Sequence, residues 1–422
     1  MNNKIKLAVA GAVLSAASIA NAGIIIPAGD WTLDINGNVN AFASFGKGES
    51  NDTNSTVSGG LANYDDASGE DKSYGINTGL LPAWLGFTGS TRQNDVDVSF
   101  TISFQPNVSD NSGTGDNMTP LNRQAFVTFG DKSWGSFKLG KDLGVFAGTA
   151  ILNDMTLLGV GAGGYYSGGV TTYGGIGTGY IYPAWRGQVA YTTPNMNGFQ
   201  ATIAITNPDQ GTAGTGITAT AANGGYYAER FGIEGQVSYS WTGDVAGKVW
   251  ASAMNYDRNG GDRTAANTVG AAAAAWGVDD YTTSAYDLGA TITSGNLNLV
   301  AYYYNAEGAG TTLNALGSDG VYWTSATNAK ERDSDGGYLQ ATYVIPTGTK
   351  LGVAYGVSRL DKASGEANST LLDKNERWTV GAYHPLTKHL NLVAEYNDIQ
   401  SEAHNGNDAD SSSLSLGAIL FF

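Results

Sequence analysis

The sequence predicts an all-β fold, a transmembrane antiparallel β-barrel of sixteen strands. Three observations carry this. Apolar and polar residues alternate with a period of two over segments longer than an ordinary strand. Long and short connections follow one another in regular succession. The chain also opens with an export signal yet has no cysteine among its 422 residues.

Met1 to Ala22 has lysines at 4 and 6, an apolar run from Leu7 to Leu14, and a small-x-small end at Ala20-Asn21-Ala22. This is the form of a cleaved signal peptide, and the apolar run is too short to span a bilayer as a helix. The expected division is therefore a signal peptide over 1–22 and a single domain over 23–422. Removing the signal leaves 20 Lys and Arg against 38 Asp and Glu, so the exported chain is strongly acidic. Binding nucleic acid needs clustered Lys and Arg, which argues against that partner. No other stretch of about 18 apolar residues exists, which argues against a helical membrane protein. Without disulfides, stability in an oxidising compartment must come from extensive backbone pairing.

The first mature segment shows the alternation best. Trp31, Leu33, Ile35, Gly37, Val39, Ala41, Ala43 and Phe45 share one face. Thr32, Asp34, Asn36, Asn38, Asn40 and Ser44 share the other, interrupted only by Phe42. A strand this long with one greasy and one polar face suits lipid outside and water inside. Similar runs recur at Leu297 to Tyr303, Leu351 to Val357 and Leu390 to Tyr396. A last one places Leu414, Leu416, Ala418, Leu420 and Phe422 together.

Sixteen strands are predicted, over 30–45, 73–91, 94–107, 121–130, 136–142, 185–193, 198–207 and 230–242, then 247–257, 282–293, 296–307, 337–345, 350–360, 376–384, 389–400 and 413–422. Short connections such as Pro194-Asn195-Met196-Asn197, Ser294-Gly295 and Pro346-Thr347-Gly348-Thr349 alternate with eight long ones. The long ones cover 46–72, 108–120, 143–184, 208–229, 258–281, 308–336, 361–375 and 401–412, and most are rich in turn-forming residues. This is the expected pattern of an outer-membrane barrel with short periplasmic turns and long outer loops. Closure removes sheet edges that lipid could not hydrogen-bond. A β-solenoid would show a fixed repeat, and none is visible.

The longest loop, 143–184, differs from the rest. It has no Lys or Arg between Leu143 and Ala184, its only acid there is Asp154, and it holds Tyr165, Tyr166, Tyr173, Tyr180 and Tyr182. A sixteen-stranded barrel leaves an aqueous lumen. So apolar a loop is better placed inside that lumen than in bulk water.

Several segments, taken in order, are similar to the Gram-negative general porins across essentially the whole mature chain. These are Asp30-Trp31-Thr32-Leu33, Leu85-Gly86-Phe87-Thr88-Gly89, Arg123-Gln124-Ala125-Phe126-Val127, Gly135-Ser136-Phe137-Lys138-Leu139-Gly140-Lys141 and Arg186-Gly187-Gln188-Val189-Ala190-Tyr191 before Pro194-Asn195. The terminal Phe422 matches the aromatic C-terminus by which such barrels are recognised for assembly. The resemblance implies a homotrimer in the outer membrane of a Gram-negative bacterium, in contact with lipopolysaccharide. Each barrel would pass ions and small hydrophilic solutes passively, without cofactor, metal or enzymatic activity. It also implies an inward-folded third loop that faces basic wall residues. Carried over by position, the wall residues are Arg123, Arg186 and Lys141, with Trp84 where the family has an arginine. On the loop side stand Asp142, Asp154 in Asn153-Asp154-Met155, and Leu158 in place of a second acid. Trp84 and Leu158 imply a narrowest point less charged and greasier than the family's. Acidic outer loops imply a mild preference for cations.

Two other readings compete with a general diffusion channel. A saccharide-specific pore would use Trp84 and the loop tyrosines as apolar faces for sugar rings. An enzyme or adhesin would act through the outer loops. Gly159-Val160-Gly161-Ala162-Gly163-Gly164 fits a dinucleotide-binding pattern but lacks a βαβ setting. His384, His389 and His404 lack metal-ligand spacing and cysteine support. The acids Asp65-Asp66 and Asp408-Ala409-Asp410 read as solvated loop rather than as a calcium site.

Overall fold

The computed structural model describes residues 23–48, 56–62, 71–108, 121–163, 171–207, 230–258, 262–264, 275–277, 281–312, 318–324 and 329–422. The predicted signal peptide, Asp65-Asp66, Tyr165 and Tyr166 lie outside them. Among the described residues no helix is long and apolar enough to cross a membrane.

One antiparallel sheet closes on itself as a sixteen-stranded barrel. Its first strands are β1 (Trp31–Gly48), β2 in two pieces (Lys72–Asn77 and Trp84–Gln93), β3 (Val96–Gln105) and β4 (Leu121–Asp131). There follow β5 (Gly135–Leu143), β6 (Trp185–Thr192), β7 (Phe199–Thr206), β8 (Gly232–Trp241), β9 (Val245–Arg258) and β10 (Tyr281–Ser294). The set ends with β11 (Leu297–Glu307), β12 (Asp333–Val344), β13 (Lys350–Leu360), β14 (Leu372–Pro385), β15 (Leu390–Ala403) and β16 (Asp408–Phe421). Closure runs between β1 and β16, from Asn38 opposite Phe421 to Gly48 opposite Ser411. A short N-terminal arm, Ile24–Ala28, pairs with Trp31 to Ile35 and extends the seam below the C-terminus.

The period-two rule sorts the side chains. Val39, Phe45, Val127, Phe137, Leu288, Leu339, Val380 and Leu416 are exposed on the outside. Asn38, Asn40, Ser44, Thr128, Gln188, Asp287, Thr379 and Ser415 are buried on the inside. In water this would be inverted; in lipid it is the arrangement that places apolar surface against hydrocarbon. Phe42, the one break in the first alternation, is turned inward and almost fully buried. Its ring fits where Gly79 and Gly417 carry no side chain: a Cβ there would stand 2.7 Å and 2.5 Å from the ring.

Three departures from the predicted elements have physical causes. The second strand is split at 78–83, because Pro82 has no N–H for the ladder and the segment turns into the lumen. Asn38 and Asn40 side chains take over the pairing, donating to Pro82 O at 2.8 Å and Leu81 O at 2.9 Å. Asn94 and Asp95 both take positive φ, 49° and 62°, so they form a two-residue hairpin turn and β3 begins only at Val96. The predicted loop 401–412 is mostly strand, with a turn over 404–407. Its Ser, Asn and Asp residues extend β15 and β16 rather than forming a loop, and their polarity had read as turn chemistry.

Candidate pore constriction

The chain from Gly144 to Ala184 joins β5 to β6 and includes a short helix α1 (Gly148–Asn153) and a 3-10 turn (Met155–Leu158). Its backbone is seated by inward-facing side chains of the far wall. The Glu234 carboxylate of β8 accepts from Val145 N at 2.6 Å and Phe146 N at 2.9 Å. Asp287 of β10 accepts from Ala147 N at 3.2 Å, and from Ser252 N and the Tyr302 hydroxyl. On β12, the Tyr338 hydroxyl donates to Ala150 O at 2.8 Å, while Gln340 accepts from Met155 N at 2.6 Å and donates to Asn153 O at 3.0 Å. Glu395 of β15 accepts from Val160 N at 2.7 Å and Gly161 N at 2.9 Å. Buried backbone N–H groups must find acceptors, and a carboxylate offers several lone pairs and a charge-assisted bond. Three wall acids therefore act as clamps for the loop.

Apolar packing completes the seat. Phe146, Ile151, Met155, Leu157, Leu158 and Ile181 of the loop join Trp250, Met254, Tyr302, Tyr304, Tyr338 and Tyr383 of the wall in one buried cluster. The inward turn of β2 adds Leu80 and Leu81 and donates from Leu80 N to Gly159 O at 3.0 Å. The inner faces of β2 to β7 are different. There small polar groups bond to one another: Thr88 to Thr101 at 3.1 Å, Ser99 to Thr128 at 2.5 Å, and Thr192 to Thr202 at 3.0 Å.

The residues singled out in the sequence divide accordingly. Arg186 lies under the loop base, its Nε 3.0 Å from Glu234 with both side chains buried, and its guanidinium 4.8 Å from the Tyr256 ring centre. Asp142 is directly opposite Arg186 in the β5–β6 ladder, is ion-paired with Lys138, and accepts from Gln124 Nε2 at 3.0 Å. Arg123 sits at a β-bulge of β4, 5.9 Å from the Trp185 ring. Asp154 is turned into the loop, accepting from Thr156 N at 2.9 Å and the Tyr180 hydroxyl at 2.8 Å. Burial, with the Asp154 carboxylate beside it, pushes the Tyr180 hydroxyl well above its ordinary range, so it remains a donor. A Cβ on Gly175 would stand 2.7 Å from Asp154 Oδ2 and 2.9 Å from an Arg377 nitrogen, so loop acid and wall guanidinium close around this glycine. Leu158 is in the buried cluster.

Lys141 is not in this group. It shares the outward row of Phe137 and Leu139, is paired with Ala125, and donates to Asn122 O at 3.1 Å. Trp84 faces inward and packs against the rim of the same buried cluster, donating to Asn36 Oδ1 at 3.2 Å with its ring edge-on to Phe421 at 6.4 Å. Phe422 closes the barrel seam through Gly37 N to Phe422 O at 2.7 Å and the reciprocal bond at 3.0 Å. Residues absent from the sequence-based set are Lys138, Glu234, Asp287, Gln340, Arg377 and Glu395. Their signal was a charged or amide side chain at an inward position of a strand whose other face is apolar.

A closed barrel with an apolar exterior, a polar interior and one loop packed across its lumen is a channel of the outer-membrane type. The chain belongs to the Gram-negative porin family, whose pattern matches residues 7–405; it is an outer-membrane diffusion channel and not an enzyme. Its fold is similar to the outer-membrane channel DcaP of Acinetobacter baumannii, with a TM-score of 0.65 at 17% identity over 95% of this chain and 100% of that one. It is also similar to Salmonella typhi OmpF, solved with daunomycin, with a TM-score of 0.58 at 16% identity over 94% and 100%. OmpT of Vibrio cholerae gives a TM-score of 0.55 at 16% identity over 94% and 100%. No curated protein matches the sequence significantly.

Proposed function

We propose that ions and small hydrophilic solutes pass through an eccentric opening bounded by the inner faces of β2 to β7 and the exposed edge of the loop. One observation carries this reading. The acids, tyrosines and apolar side chains that hold the loop belong to β8 through β16, to Phe42 of β1 and to the break in β2, while β3 to β7 present mainly short hydroxyl and amide groups. In this reading Lys138, Asp142, Gln124 and Arg123 border the narrow part, and Arg186 and Asp154 position the loop from behind it. Leu158 serves as a packing anchor, and Lys141 plays no part in the aperture. The ion pairs Lys138–Asp142 and Arg186–Glu234 cancel locally, so the acidic outer loops leave a mild cation preference.

A saccharide-specific pore finds less support, because Tyr180 is fully buried and Tyr173 and Tyr182 pack against the loop's own cluster. Assembly as a homotrimer draws support from the trimer form of OmpT and from the phenylalanines exposed on β3 to β5. The expected export signal over 1–22 and contact with lipopolysaccharide belong to the same reading. The test is conductance in planar bilayers with a size series of neutral sugars. Linear exclusion by size, without saturation, supports a general channel. Current block by low concentrations of one sugar contradicts it.

A further inference from the structure

We propose that the periplasmic half of the lumen is an anion-binding vestibule, formed by Lys248 and Lys350 at the two ends of an arc of hydroxyl and amide side chains. The ligand class is small oxyanions, carboxylates or phosphates, that have already passed or are about to pass the narrow part.

The arc follows from the register. Lys248 of β9 is opposite Ser240 of β8 and Thr291 of β10, at an inward position of the strand that also turns Trp250 and Met254 into the lumen. Asn298 of β11 donates to Thr291 Oγ1 at 3.0 Å and is opposite Thr342 of β12. Thr342 and Val344 pair into β13, where Val344 is opposite Lys350. Lys350 leans over the inward-facing Tyr383, its Nζ 4.7 Å from the ring centre. These residues lie toward the short turns of β8 to β13, below the level of the loop.

Charge bookkeeping separates this arc from the rest of the lumen. The acids of the same wall, Glu234, Asp287 and Glu395, already accept from loop N–H groups, and Glu395, which also accepts from the Tyr383 hydroxyl, is the acid nearest Lys350 without pairing with it. Lys138 and Arg186 have carboxylate partners. Among the described residues no carboxylate forms an ion pair with Lys248 or Lys350, and Asp244 in the nearby turn is not bonded to either. Two half-buried ammonium groups, each with several donors, thus stand beside hydroxyls that can donate to an oxyanion as well. Low-dielectric walls focus such a field inside a pore. A chain with net charge −16 therefore carries, along β9 to β13, a short stretch of inner wall whose two lysines have no paired carboxylate.

The test is current block by citrate, added to one side at a time. Channel orientation is fixed by an Ala367→Cys variant, labelled at this exposed position on the loop side of the otherwise cysteine-free chain. Citrate on the short-turn side is expected to block the wild-type channel at lower concentration than citrate on the loop side. In the double variant Lys248→Gln/Lys350→Gln, half-block from the short-turn side is expected to need about fivefold more citrate. A Lys248→Arg/Lys350→Arg channel is expected to keep the wild-type block, and sucrose partitioning is expected to be unchanged in all three. Equal block from both sides, or undiminished block in the glutamine variant, overturns the proposal. If the glutamine variant does not insert, the side-dependence of wild-type block and its shift in the single variants decide the matter.

Discussion

The two halves of the barrel wall share one backbone design and differ in what they point inward. From β8 to β15 the inner row carries large aromatics and isolated acids, such as Trp250, Tyr302, Tyr338, Glu234 and Glu395. From β3 to β7 it carries Ser99, Thr101, Thr128, Thr192 and Thr202. The first set is what a loop needs for burial: apolar surface for its side chains and acceptors for its N–H groups. The second set stays hydrated and leaves room. The same ladder of hydrogen bonds thus gives a docking face on one side and a water path on the other. The choice between them is made by every second residue.

The largest expected effect comes from breaking the docking side at its charged anchor. Glu234→Ala leaves Arg186 buried without its acid and strips two loop N–H groups of their acceptor. A loss of about 3–5 kcal/mol is expected, read as a lower urea midpoint of the folded barrel, together with larger and noisier single-channel currents. Glu234→Gln, which keeps an acceptor, should lose less. Phe42→Ala comes next. It opens a void between Gly79 and Gly417 and should cost about 3 kcal/mol in the same assay, with conductance little changed.

Changes on the water side should act on ions instead of stability. Lys138→Gln removes the partner of Asp142 but leaves the Gln124 donor in place. The reversal potential under a salt gradient should move toward cations, while the urea midpoint shifts by no more than about 1 kcal/mol equivalent, since Lys138 is partly exposed. The smallest effect is expected at the periplasmic rim. Arg92 pairs with Asp97 and Asp131 in full contact with water, so Arg92→Ala should leave both the midpoint and the conductance unchanged.

The barrel was legible in the sequence because lipid enforces the alternation that defines it. All sixteen strands were placed from that pattern and from the rhythm of the connections. The pattern failed where polarity and backbone geometry part company. Leu80-Leu81 looked like strand, although Pro82 beside them could not join a ladder; the polar stretch 408–412 looked like loop, although it begins β16. At the candidate constriction, one residue of register decided the outcome. Lys138 and Asp142, four apart, share the inner face, while Lys141 shares the outer one with Phe137. The wall acids were not singled out, because a lone acid at an inward position reads as a solvated lumen residue until a loop is seen to cover it.

The central claim is that water follows β2 to β7 and not the docking face. A cysteine-free chain allows this to be measured directly. Thr101→Cys stands on the inner face of β3, and Ser413→Cys stands buried on the inner face of β16. Single-channel current should fall in steps when a charged thiol reagent is added to the Thr101→Cys channel, and should be unaffected in the Ser413→Cys channel. Rapid modification and block at position 413, with position 101 inert, would contradict the account.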